Sequence, residues 1–185
     1  MEARHAMIHV SPRSRLDATL AACRADRLVT LLREGSDFIR PETIEAPNFL
    51  LLTMHDIVED REGMAAPAAH HVEALIAFAE SWDRKRPLAI NCYAGISRST
   101  AAAYIVACAL TPARDEEETA ATLRRLSPSA TPNIRLVSLA DDIMDRQGRM
   151  TRAIRGIGRG ADAFEGNPFV LEIDALAEND FPGQV

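Results

Sequence analysis

Along this chain, short unbroken apolar runs alternate with stretches of helical spacing. The runs "MIHVS" (7–11), "RLVTLL" (27–32), "NFLLLTM" (48–54) and "PLAINC" (87–92) are bounded by proline, glycine or charged residues, which predicts four buried strands. Between and after them lie predicted helices. One covers 15–25, with Leu16, Leu20 and Cys23 on one stripe, and another covers 70–82. A third starts near Ser99 and is ended by Pro112. Asp115, Glu116, Glu117 and Glu118 open the next helix, where a helix N-terminus favours negative charge, and the last long one runs over 134–148 to stop at Gly148. Strands alternating with helices predict an α/β class: a central, largely parallel sheet of about four or five strands flanked by helices. Because the late chain is all helix, helices crowd one side. From Met150 the pattern changes, with five glycines and two prolines in 151–185. The expectation is a body over 1–149, then a short helix and extended tail over 150–185 packing on the same domain, with an acidic end.

Composition adds exclusions. With 185 residues, 47% hydrophobic and 26% charged, the chain has the ordinary make-up of one soluble globular domain. A net charge of −6 argues against a nucleic-acid partner. The longest apolar stretch, "AAAYIVACAL" (101–110), is too short for a membrane span, and the N-terminus lacks the apolar core of a signal peptide. Cys23, Cys92 and Cys108 form neither a CxxC pair nor a metal-ligand spacing, which suits a reducing cytoplasm and predicts no metal and no cofactor. Cys23 and Cys108 fall on predicted helices and read as buried small hydrophobes. His5, His9, His70 and His71 read as ordinary surface or helix-start residues.

One stretch carries chemistry: "INCYAGISRST", residues 90–100. It places Cys92 at the end of a strand and Arg98 at the start of a helix. Ligands bind beyond the carboxyl ends of strands in open α/β sheets, and a helix N-terminus offers free N–H groups and partial positive charge. These features bind phosphate. Gly95 lets the loop curl so that its N–H groups converge, and Arg98 adds a two-pronged fork to phosphate oxygens. The same dipole and guanidinium stabilise a Cys92 thiolate beneath the phosphate, placed to attack phosphorus.

"CYAGISRS" resembles the C-x5-R-S/T signature loop of the protein tyrosine phosphatase superfamily, in the filling of its compact dual-specificity branch; "SPSATPN" and "IRLVSLADDI" are similar to that branch's Pro-Asn loop and final helix. The resemblance covers roughly 48–142. It implies a cysteine-dependent phosphatase acting through a cysteinyl-phosphate, with Cys92 as nucleophile and Arg98 plus the loop residues Tyr93, Ala94, Gly95, Ile96 and Ser97 holding phosphate. It also implies that Ser99 assists the leaving thiolate and that Asn133 braces the loop. The local alternatives are helix capping for Ser99 and for Asn133. A rhodanese-type sulfur carrier is the competing reading of such a loop, and the A-G-x-S-R-S filling argues against it.

A phosphate ester also needs a proton donor for its leaving oxygen. The resemblance places it on the loop after an upstream strand, where Asp56 and Asp60 both stand. Asp56 is preferred, because it follows the strand at once while loop length varies freely. Asp83, after Trp82, lies on the wrong side of the next strand, and Trp82 reads as a core anchor. Asn91 replaces the histidine that most relatives carry before the cysteine; its amide can donate a hydrogen bond and orient the loop, but it brings no charge. The loop interior has no lysine, which favours phosphoprotein or simple aryl phosphate substrates. The alternatives are a small-metabolite phosphatase and a non-catalytic phosphate-binding module. Arg146, Arg149, Arg152, Arg155 and Arg159 recur at helical spacing and predict a basic, solvated helix face.

Overall fold

The computed structural model describes residues 6–173; His5 and the acidic end of the tail lie outside them. Strands β1 (Ala6–Pro12), β2 (Arg27–Leu32), β3 (Phe49–Thr53), β4 (Leu88–Cys92) and β5 (Phe169–Ile173) form one sheet in the order β3-β2-β4-β1-β5. The first four are parallel, and β5 lies antiparallel against β1. The parallel core explains the unbroken apolar runs: β4 is buried at every position, with both faces covered. β5 instead alternates, burying Phe169, Leu171 and Ile173, as an edge strand with one face towards solvent does.

The two faces of the sheet are covered unequally. On one, α1 (Leu16–Cys23) packs Leu16 and Leu20 against Leu28, Ile44 and Ala89. On the other lie α2 (Ala69–Glu80), α3 (Arg98–Leu110), α4 (Glu116–Leu126), α5 (Ile134–Ile143) and α6 (Arg149–Ile157) around the main core. The helices do crowd one side. α3 sits at the centre of this layer, buried on all sides, which is why its sequence is apolar all round and rich in alanine. Trp82 is 3% exposed and donates Nε1–H to the Arg86 carbonyl, so it is the core anchor expected. Among the described residues no helix is long and apolar enough to cross a membrane.

Four readings change. The helix expected over 134–148 ends at Ile143, because Asp145 and Gln147 take positive φ (50° and 53°) in a turn, and Gly148, at φ 80°, is the residue before α6. That turn breaks the arginine stripe. Arg146 is buried in it, paired with Glu116 at 2.9 Å and donating to the Cys108 carbonyl. Arg159 lies beyond α6 and pairs with Asp162. Glu116 is likewise no dipole-compensating surface charge, since it is 6% exposed and anchors Arg146 and Arg149. The N-cap of α4 is Asp115, whose carboxylate accepts from the N–H groups of Glu117 and Glu118. Removing one partner of the buried Glu116–Arg146 pair costs about 3–5 kcal/mol. Cys23, at the end of α1, is half-buried rather than buried.

Candidate active site

Strands β1, β2 and β4 all end at one edge of the sheet, and a cleft of about 660 Å³ opens there. Cys92 closes β4 and Arg98 opens α3, so residues 93–97 form a short loop at the floor. Its carbonyls are tied outward. Tyr93 accepts from the Arg13 N–H (3.1 Å), Ala94 from Gly166 (2.8 Å), Ile96 from Thr131 (2.9 Å) and Ser97 from Asn133 (3.2 Å). In a trans peptide the C=O of one residue and the N–H of the next point opposite ways. The N–H groups of Ala94, Gly95, Ser97 and Arg98 therefore turn inward. Gly95 shows the result, its N–H donating to Cys92 Sγ at 3.3 Å. Only glycine suits that position: φ is +68°, and a Cβ would lie 2.7 Å from the Pro12 backbone nitrogen.

Cys92 is buried, and its sulfur has a second partner, the Ser99 hydroxyl at 3.0 Å. Ser99 stands in the first turn of α3, and its hydroxyl is turned to the sulfur rather than used as a cap. Arg98 is 7% exposed; its Nη1–H donates to the Met54 carbonyl (2.9 Å), while its Nε–H has no hydrogen-bond partner. Arg98 lines the cleft. A buried guanidinium with an unused donor carries a desolvation cost that an anion would relieve.

The two candidate acids separate clearly. Asp56 Oδ1 accepts from the Ser97 hydroxyl (2.7 Å) and from the Asn133 amide (2.8 Å), and Oδ2 lies 3.8 Å from Arg98 Nε. Asp60 points to solvent, with its side chain 85% exposed, and pairs with Arg135. Asn133 does two jobs at once. Its Oδ1 caps α5 by accepting from the Arg135 and Leu136 N–H groups, while its Nδ2 holds Asp56 and the Ile57 carbonyl. Its backbone N–H, not its side chain, reaches the Cys92 loop at Ser97.

Asn91 is placed differently from the expectation. It is fully buried, and its Oδ1 accepts from the Thr30 hydroxyl on β2 at 2.7 Å, while its Nδ2 donates to nothing. Its side chain therefore ties β4 to β2 and makes no hydrogen bond to the loop, because residues 30 and 91 are register partners in the parallel ladder. Asp83 only holds the turn at Lys85.

Several residues at the site were not singled out from sequence. Arg13, Arg33, Ser36 and Asp37 line the cleft together with Tyr93, which is 63% exposed. Thr30 and the Met54 carbonyl support Asn91 and Arg98 from neighbouring strands. Gly166, in the segment after α6, packs so closely that a Cβ there would lie 2.7 Å from the Gly95 carbonyl oxygen. Arg13 and Arg33 each follow a predicted strand that ends level with Cys92; that position was the available signal.

No protein-family model matches the chain, and no curated protein matches it. Solved structures do. The human tyrosine phosphatase-like serine/threonine/tyrosine-interacting protein superposes with a TM-score of 0.58 at 16% identity, over 76% of this chain and 92% of that one. Human DUSP28 gives 0.57 at 16% identity, over 76% and 89%. The PTP-2 phosphatase of Cydia pomonella gives 0.57 at 18% identity, over 73% and 84%. The chain has the fold of the compact dual-specificity and tyrosine phosphatases.

Proposed function

We propose that this protein is a cysteine-dependent phosphatase of the dual-specificity type, hydrolysing phosphate monoesters of phosphotyrosine, other phosphoprotein residues or aryl alcohols. The observation that carries this reading is the pairing of Cys92 Sγ, held by the Gly95 N–H and the Ser99 hydroxyl, with the buried, partly unpartnered Arg98 guanidinium of the same loop. The fold shared with known phosphatases supports it.

In the first step the Cys92 thiolate attacks phosphorus, the phosphorus–oxygen bond to the leaving group breaks, and Asp56 gives that oxygen its proton. Asp56 Oδ1 is occupied by two donors, so Oδ2 is the oxygen available to hold the proton. Inward N–H groups and Arg98 hold the three equatorial oxygens, on which transition-state charge spreads. In the second step Asp56 takes a proton from water, whose oxygen attacks the cysteinyl-phosphate. Phosphate leaves, and the Ser99 hydroxyl stabilises the thiolate set free.

The test is hydrolysis of p-nitrophenyl phosphate by the wild type, Cys92→Ser, Asp56→Asn and Asp60→Asn. Wild-type turnover inhibited by vanadate is expected, abolished in Cys92→Ser and lowered roughly 10²-fold or more in Asp56→Asn. Asp60→Asn should stay within about twofold, since its exposed ion pair contributes only about 0–1 kcal/mol. No vanadate-sensitive turnover by the wild type overturns the reading; loss in Asp60→Asn but not in Asp56→Asn reassigns the acid.

A further inference from the structure

The cleft above Cys92 is lined by more positive charge than the loop itself supplies. β4 is flanked by β1 and β2, and Cys92 is level with Pro12 on one side and Leu31 on the other. Adjacent strands lie about 4.8 Å apart. Arg13 follows Pro12 directly and Arg33 lies two residues beyond Leu31, so the chain sends one arginine from each neighbouring strand end to the mouth of the same cleft. Together with Arg98 they set three guanidinium groups around the cleft; Asp37 is the one carboxylate among the residues lining it, and Asp56 stands beside Arg98 at 3.8 Å, in a chain whose net charge is −6.

The two outer arginines differ in how they are held. Arg13 donates to the Asp37 carbonyl and lies over the Phe38 ring at 5.7 Å, which fixes its guanidinium at one wall. Arg33 is exposed and makes no ion pair among the described residues. A volume of about 660 Å³ falls within the range of roughly 300–1,000 Å³ that holds a whole small ligand, far more than one phosphate group needs. Cations clustered beside an anion site, with at least one left without an internal partner, are a means of reading a second negative charge.

We propose that the mouth of this cleft is a second anion subsite, and that the substrate carries a second phosphate held between Arg13 and Arg33 while the first enters the Cys92 loop. The proposal rests on the phosphatase reading above for the first phosphate. It changes the substrate expectation drawn from the lysine-free loop, because the added charge comes from β1 and β2 rather than from the loop.

The experiment compares kcat/KM within two matched pairs: a phosphotyrosine peptide against the same peptide with a second phosphorylated residue, and a soluble inositol monophosphate against the bisphosphate. The wild type, Arg33→Glu and Arg33→Lys are each measured. At least a tenfold preference for the bisphosphate member of one pair is expected in the wild type, lost in Arg33→Glu and partly kept in Arg33→Lys. The pair that shows it identifies whether a peptide or a small polyol bears the second phosphate. No preference in either pair, or a preference that Arg33→Glu leaves intact, overturns the subsite. Calorimetric binding of the same four compounds to Cys92→Ser, with and without Arg33→Glu, reads the subsite without turnover. Failure of hydrolysis with Arg33-dependent binding of the bisphosphate therefore sinks the phosphatase reading and leaves the subsite standing, while hydrolysis without discrimination does the reverse.

Discussion

The Asn133 side-chain amide donates to Asp56 Oδ1 at 2.8 Å across 77 residues of chain, while the other end of the same amide caps α5. One residue thus fixes both the start of a helix and the position of the proposed acid. The two roles can be separated. Asn133→Ser keeps a capping oxygen, whose loss would cost about 1 kcal/mol, but removes the donor to Asp56. A hydrogen bond to a charged group contributes about 1.5–3 kcal/mol, or roughly 10- to 100-fold in rate if it is felt fully in the transition state. The expected outcome is a fall in kcat of at least tenfold with little change in melting temperature. An equal fall in both for Asn133→Ser and Asn133→Ala would leave Asn133 as a cap only.

Ser99 Oγ and Cys92 Sγ lie 3.0 Å apart. If the hydroxyl serves the departing thiolate, Ser99→Ala slows the second step more than the first. The expected signature is a burst of p-nitrophenol followed by a slow steady state, with phosphocysteine trapped by acid quench. A uniform loss of rate without a burst would place Ser99 in loop structure alone.

Gly166 meets the rim of the loop, donating its N–H to the Ala94 carbonyl with the Gly95 carbonyl oxygen 2.7 Å from where a Cβ would stand. Neither neighbour is a flexible side chain, so a methyl group must displace backbone. Gly166→Ala is expected to lower kcat/KM by tenfold or more through movement of residues 94–96, with a smaller effect on stability than Gly95→Ala. The latter adds the strain of an alanine at φ +68° to a clash with the Pro12 backbone. Unchanged kinetics in Gly166→Ala would show that the segment after α6 merely rests on the loop.

Burial, opposed by the neighbouring Tyr104 hydroxyl and Arg146, pushes the Cys108 thiol up from 9.0 to about 12. In the unfolded chain the thiol ionises near its ordinary value, so above pH 9 the folded state binds more protons than the unfolded one. Stability must then fall as pH rises, by up to about 1.4 kcal/mol per pH unit between pH 9 and 12 from this group. Denaturant unfolding at pH 8, 9.5 and 10.5 should show the decline, and Cys108→Ala should flatten it while lowering the value at pH 8. Parallel curves for the two proteins would remove Cys108 from the alkaline response.

The sequence by itself determined whatever is carried by residues close in the chain. Four strands follow from apolar runs, and for β2 and β4, buried on both faces, no polar position is needed to interrupt them; β3, expected to be buried, is instead an edge strand that buries only Leu52 and leaves Leu51 40% exposed. The relation of Cys92, Gly95, Arg98 and Ser99 also follows from sequence, because one strand, one loop and one helix N-terminus confine all four. Other features depended on the way distant segments meet. Asp56 and Asp60 are four residues apart on one loop, and only the approach of Asn133 and Ser97 decides which faces Arg98. Asn91, at the end of a predicted strand, reads locally as a brace for the adjoining loop, but parallel register sets it against Thr30, and a buried oxygen takes the donor it meets. The arginine stripe had helical spacing, and a buried Glu116 together with two left-handed residues broke it. Arg13 and Arg33 carried no signal of their own in the sequence, and only the order β2-β4-β1 places them on either side of Cys92. Strand order is a global choice of packing, made by burying helices on both faces of the sheet, and no local periodicity encodes it.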